Sequence, residues 1–187
     1  NSSADFVTTL TDDVKAGQRK FVIDLRGNPG GFVTAARKIA SQFIASGPIY
    51  WQQDAKGNQV ATMAEPNGVA TDPGVTVVVL IDKGSASASE ILAGALQDTK
   101  RATLIGQTSY GKGTIQEWEP LPNDTGGFRL TIARWLTPDK RWIHHVGLTP
   151  DVAVEVPQST PPNADPVLDK ALEVLNAASG SVLKAAA

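Results

Sequence analysis

The sequence predicts an α/β fold with a partly parallel sheet, and three observations carry that reading. Lys20 to Leu25 and Val75 to Ile81 are short apolar runs without polar alternation, as expected of strands covered on both faces. Each run ends in a glycine-containing turn, and a stretch with helical spacing follows. Through the middle of the chain the order is strand, helix, hairpin, strand, helix, strand, which is the order of layered α/β proteins.

Taken from the start, Phe6, Leu10 and Val14 recur at four-residue spacing, and Ser2 or Ser3 can cap the helix they imply. The Lys20 to Leu25 strand breaks at Arg26-Gly27-Asn28-Pro29-Gly30-Gly31. Val33, Ala36, Ala40, Phe43 and Ile44 then predict a helix that stops at Gly47. Ile49 to Gln53 and Gln59 to Ala64 flank Asp54-Ala55-Lys56-Gly57 as a hairpin. Val75 to Ile81 reads as the central strand, Ser87 to Gln97 as a helix and Ala102 to Ile105 as a further strand. Thr114 to Trp118 and Phe128 to Trp135 are β segments. Asp165-Pro166 opens a last helix with proline at its first position. The domain reading is a core over 1–156, a proline-rich linker over 157–164, and a helix with a small apolar tail over 165–187.

The chain has 187 residues, 41% hydrophobic and 19% charged, which suits one globular core. A net charge of −2 provides no bulk attraction for nucleic acid or anionic lipid. No apolar run approaches the ~20 residues of a membrane span. The lack of cysteine excludes a thiol nucleophile, disulfides and thiolate metal sites. With His144 and His145 as the only histidines, no metal site is expected, and no cofactor motif is present. Gly106 to Gly111 has the glycine spacing of a phosphate loop, but Gly113 follows Lys112 where that loop needs Ser or Thr.

Two segments carry chemistry. Asp82-Lys83-Gly84-Ser85-Ala86-Ser87 joins the end of the central strand to a helix start, where open α/β sheets bind ligands and where free N–H groups can stabilise an oxyanion. Ser87 is the nucleophile candidate. Ser87 and Glu90 also match the S-x-x-E capping box, so a structural reading stands beside the chemical one. A serine hydroxyl needs a base, and a lysine serves where burial lowers its affinity for a proton. Lys112, between Gly111 and Gly113, is the candidate; its competing reading is a solvated turn.

Four motifs together resemble the carboxyl-terminal processing (tail-specific) serine proteases of the S41 type, and also the related tricorn-type and retinoid-binding-protein domains. They are Val22-Ile23-Asp24-Leu25-Arg26-Gly27-Asn28-Pro29-Gly30-Gly31, Lys83 to Leu96 around Ser87, Tyr110-Gly111-Lys112-Gly113-Thr114-Ile115-Gln116, and Val146-Gly147-Leu148-Thr149-Pro150-Asp151. The resemblance implies a ClpP/crotonase-like α/β fold with a mixed sheet and flanking helices. It implies a Ser87/Lys112 dyad acting through an acyl-enzyme, with Gln116 orienting the lysine. Oxyanion donors would come from Gly30 or Gly31 and from the backbone N–H of Ser87. Substrates would be proteins or peptides with apolar C-termini, in a periplasm, cell envelope or plastid lumen. The family admits a homo-oligomer.

The family usually carries a PDZ domain before the catalytic core, and the ~20 residues ahead of the first strand are too few for several strands of ~5–6 residues. A strand that normally precedes the first helix is also missing. The sequence therefore reads as a fragment or a shortened homologue. The alternative function is a catalytically silent ligand- or peptide-binding module on the same fold, with acyl-thioester chemistry a third reading by fold analogy. The terminal Ala185-Ala186-Ala187 resembles a family substrate and raises self-trimming, against the plainer reading of a frayed terminus.

Overall fold

The computed structural model describes residues 2–181. In chain order the elements are α1 (Ser2–Lys15), β1 (Lys20–Asp24), α2 (Val33–Ala40), β2 (Pro48–Gln53), β3 (Gln59–Met63), β4 (Thr76–Ile81), α3 (Ala88–Asp98), β5 (Ala102–Gly106), β6 (Thr114–Pro120), β7 (Gly127–Leu136), β8 (Val152–Ala153) and α4 (Pro166–Ser181). The parallel and antiparallel pairings of this α/β fold separate into two sheets. One is parallel, in the order β1-β4-β5-β8, and the other is antiparallel, in the order β3-β2-β7-β6.

β4 shows why its sequence does not alternate. Side chains of a strand project to opposite faces in turn, and here both faces are covered. Val77, Val79 and Ile81 join the main core with Leu10 of α1, Ala36 and Ala40 of α2, and Ile91, Leu92 and Leu96 of α3. Val78 and Leu80 join Ile105 and the α4 residues Val167, Ala171 and Leu175 on the other side. That four-residue spacing is the buried stripe of α4.

α4 is anchored at its start. Asp165 accepts the Leu168 N–H at 3.0 Å, capping the helix, and Pro166 takes the first helical position. The Arg26 guanidinium forks between Asp24 at 2.7 Å and Asp165 at 2.8 Å, tying α4 to the end of β1.

Three details differ from the sequence expectations. β1 is an edge strand with a half-exposed pattern, not one buried on both faces, because only β4 pairs with it. α2 ends at Ala40, and Phe43 and Ile44 enter the core from the turns that follow. β8, two residues parallel to β5, is too short to leave a periodic signal. The tail over 182–187 lies outside the described residues, and with it the self-trimming expectation.

Hydrogen bonds from Arg26 are the main cause that holds both the Asp24 and Asp165 carboxyls below their ordinary range. A lowered carboxyl contributes stability above the unfolded pKa of ~3.9 and loses it as pH falls through the folded value. Arg26→Met should therefore lower the thermal midpoint at pH 7 and have a smaller effect at pH 3, measured by circular dichroism melts at both pH values.

Candidate active site

Glu90, in the first turn of α3, is fully buried and organises the surrounding loops. Its Oε2 accepts the Ser87 N–H at 2.8 Å and the Lys112 N–H at 2.9 Å. Its Oε1 accepts the Gly111 N–H at 2.7 Å and the Ser109 hydroxyl at 2.5 Å. A carboxylate has two oxygens and acceptor capacity for all four donors. The capping-box residue thus joins the serine turn to the lysine loop. Ser109 extends the chain by accepting the Leu148 N–H at 2.7 Å.

The serine turn is braced from β1 as well. Asp82, just past β4, accepts the N–H groups of Gly27 at 2.8 Å and Gly84 at 2.9 Å. The Ser85 hydroxyl donates to the Leu25 carbonyl at 2.8 Å, and Ala86 N–H donates to the Asn28 carbonyl at 3.0 Å. Ser87 itself sits at φ 57°, ψ −117°, a conformation that L residues seldom adopt. Strained backbone of this kind survives where the surroundings over-determine it. Gly30 comes so close to the turn, at φ +96°, that a Cβ there would lie 2.9 Å from the Ser87 Cβ and 2.6 Å from the Ala86 carbonyl oxygen.

The lysine loop is held at both ends of one residue. Glu90 takes the Lys112 N–H, and Trp135, 1% exposed in β7, donates its indole N–H to the Lys112 carbonyl at 2.9 Å. Gly111 and Gly113 lie against the 142–147 segment, where His145 N–H donates to the Gly111 carbonyl at 2.9 Å and Trp142 donates its indole N–H to the Gly113 carbonyl at 3.0 Å. The loop is anchored, and the lysine is half-buried rather than fully solvated.

Ser87, Lys112, Gly31 and Gln116 line one cleft of about 390 Å³, closed on its apolar side by Ile91, Ile115 and Trp135. One strand irregularity lies in its wall: the β6–β7 pairing passes over Ile132 between Ile115 and Gln116, and the β6 residues from Thr114 to Trp118 all line the cleft.

Several expected contacts are made differently. The Ser87 N–H is engaged by Glu90, and the Gly30 N–H donates to the Asn28 side chain at 3.0 Å, so two of the three amides expected as oxyanion donors, those of Ser87 and Gly30, are satisfied within the chain. Among the described residues, the N–H groups of Gly31 and Ala88 have no hydrogen-bond partner in the chain. The Gln116 side-chain amide is exposed and donates to the Thr131 hydroxyl at 3.4 Å rather than to Lys112. Glu90 was legible as a helix cap, but its reach to Ser109, Gly111 and Lys112 had no signal, because those residues come 19 to 22 positions later. Trp135 and Asp82 were likewise invisible as supports. Among the described residues no group of His, Asp and Glu side chains is arranged to hold a metal ion.

Ser87, at a helix start with positive φ, and Lys112, in a glycine-flanked loop, line one cleft of an α/β fold, an arrangement compatible with the class of serine peptidases. The chain belongs to peptidase family S41, which it matches over residues 1–154. It is 44% identical over 147 residues to a carboxy-terminal-processing protease of Bartonella bacilliformis, covering 79% of this chain and 32% of that one. It is 40% identical over 153 residues to the carboxy-terminal processing protease CtpA of Bacillus subtilis, again covering 79% and 32%. Among solved structures, the photosystem II D1 C-terminal processing protease superimposes with a TM-score of 0.76 at 34% identity, covering 94% of this chain and 43% of that one. The chain spans about a third of the length of the curated relatives it matches.

Glu90→Gln replaces one acceptor oxygen with an NH₂ group that faces N–H donors. It should destabilise the fold by about 2–4 kcal/mol, measured by urea unfolding monitored through tryptophan fluorescence.

Proposed function

We propose that the chain is the catalytic core of a serine endopeptidase that cleaves proteins near their C-termini through a Ser87/Lys112 dyad. The observation that carries this reading is the shared cleft of Ser87 and Lys112, with the backbones of both residues hydrogen-bonded to the same Glu90 oxygen. In its neutral form Lys112 takes the Ser87 proton as Oγ attacks the peptide carbonyl. The tetrahedral intermediate collapses when Lys112 returns that proton to the leaving nitrogen. An acyl-enzyme on Ser87 remains, and a water activated by Lys112 hydrolyses it.

The oxyanion donors we assign are the N–H groups of Gly31 and Ala88, at the cleft and at the start of α3. Their freedom from partners supports that choice over Gly30 and Ser87. Removing one such donor typically costs about 10²–10³ in rate. Gln116 sits on the cleft wall four residues after Lys112, where a swing of its amide from Thr131 would place it beside the lysine.

Substrate binding follows from the sheet. β6 is an edge strand, its outer edge is unpaired among the described residues, and it continues directly from the lysine loop. An extended peptide added there places successive carbonyls past Ser87. The names of the relatives support processing at protein C-termini, and the family resemblance implies unfolded or exposed C-terminal segments as substrates. The family resemblance supports action in a periplasm, cell envelope or plastid lumen, together with a PDZ domain in cis in the longer relatives. No helix among the described residues is long and apolar enough to cross a membrane.

The test is cleavage of an unfolded protein with an apolar C-terminus. Ser87→Ala and Lys112→Ala should each lower turnover by about 10³-fold or more while keeping the parent's thermal midpoint. A fluorophosphonate probe should label the parent at Ser87. A folded parent that neither cleaves nor takes the label would favour the silent binding module.

A further inference from the structure

The lysine loop has a further support whose state depends on a proton. Gly111 and Gly113, on either side of Lys112, are buried against the 142–147 segment. A Cβ added at Gly113 would lie 2.9 Å from the His144 Cβ, so the loop has no slack on this side. The half-buried His144 ring meets both flanking residues through one atom. The Gly113 N–H donates to its Nδ1 at 3.3 Å, and the Gly111 carbonyl oxygen lies 3.3 Å from the same Nδ1. These are the far ends of the two peptide groups of Lys112. The near ends are the Lys112 N–H, held by Glu90, and the Lys112 carbonyl, held by Trp135.

One ring nitrogen cannot serve both partners. Without a proton Nδ1 accepts from Gly113; with one it donates to Gly111. The Gly111 carbonyl already accepts the His145 N–H at 2.9 Å. Among the described residues, the Gly113 N–H has no acceptor besides Nδ1. A buried N–H without an acceptor is costly, so the neutral ring carries its proton on Nε2. A second proton turns Nδ1 into a donor. The Gly113 bond is then lost and the Gly111 bond forms, and both peptide groups of Lys112 change partners at once.

Charged groups face the ring from several elements. The His145 ring stacks on it, with centroids 3.9 Å apart. Arg134 of β7, and Asp54 and Lys56 of the β2–β3 turn, line the same open cavity as His144. Lys112 is the cation of the loop itself. These neighbours set where on the pH scale the ring takes its proton, and the two imidazoles titrate as a pair. They do not alter which bonds are exchanged. We propose that His144 is a positioning residue for Lys112: its neutral ring holds the lysine loop in place, and its protonation re-aims the loop and lowers turnover in acid. This rests on the peptidase reading above and adds to it a control on the base.

Amide NMR reads the loop without catalysis. In a chain labelled with ¹⁵N-glycine and carbonyl-¹³C-lysine, signals filtered through a lysine carbonyl come from Gly57, Gly84 and Gly113. Lys112→Ala identifies the last by removing it. Histidine changes charge between about pH 8 and pH 5, and over that range the Gly113 amide proton should move upfield as its hydrogen bond is lost. In His144→Asn, whose Oδ1 stays an acceptor throughout, the signal should hold its place. His145→Asn should keep the movement. Cleavage of the unfolded substrate is followed over the same range. Lys112 takes up protons in both chains, so the ratio of parent to His144→Asn turnover isolates His144. That ratio should fall about tenfold from the top of the range to the bottom. A Gly113 amide that does not titrate in the parent overturns the proposal, as does a ratio independent of pH. If His144→Asn does not fold, the Gly113 signal in the parent and in His145→Asn decides alone. A folded parent that cleaves at no pH tells against the peptidase reading, while the Gly113 signal still tests the exchange of bonds.

Discussion

The arrangement of the cleft depends on one buried carboxylate. Glu90 sits in the first turn of α3 with no exposed surface, and its two oxygens take donors from the serine turn and from the 109–112 loop. A polar group buried this deeply is costly unless it is fully hydrogen-bonded. That cost makes the contact specific, because any displacement of either loop leaves donors or acceptors unmatched. Ser87 and Lys112 inherit their relative position from this one side chain.

Around that centre the supports come from separate layers. β4 and β5 end side by side in the parallel sheet and aim the serine turn and the 107–113 loop at the same end of the molecule. Asp82 and Ser85 bind the serine turn to Gly27 and Leu25, just past the end of β1. Trp135 reaches from the antiparallel sheet to the carbonyl of Lys112. Helix α3 and the antiparallel sheet thus meet at the lysine, one through Glu90 and the other through Trp135. The strain implied by the positive φ of Ser87 is tolerated because its neighbours on both sides are already held.

The cleft wall shows a second use of irregularity. Between Ile115 and Gln116 the pairing passes over Ile132, so that β7 carries one residue more than β6. Gln116, Glu117 and Trp118 of β6 all line the cleft, with Arg129 from β7. The β6–β7 ribbon therefore gives the cleft wall charges of both signs beside an aromatic ring. In the parallel sheet, the brace of Arg26 between Asp24 and Asp165 has a comparable economy, holding α4 over Val78 and Leu80 from a point one loop away from Gly30.

Much of this protein was determined by local sequence. The unbroken apolar run of β4, the i, i+4 stripe of α4 and the proline at its first turn needed only neighbours in the chain. The candidate pair Ser87 and Lys112 was legible because small residues and glycines mark tight turns, and because four motifs occur in a recognisable order. The tertiary structure decided what depends on long-range hydrogen bonding and register. It spent the N–H groups of Ser87 and Gly30 on Glu90 and Asn28, turned the Gln116 amide toward Thr131, and left β1 at an edge. None of these is a property of composition or periodicity. Each is settled by which donor meets which acceptor after elements distant in sequence have packed together.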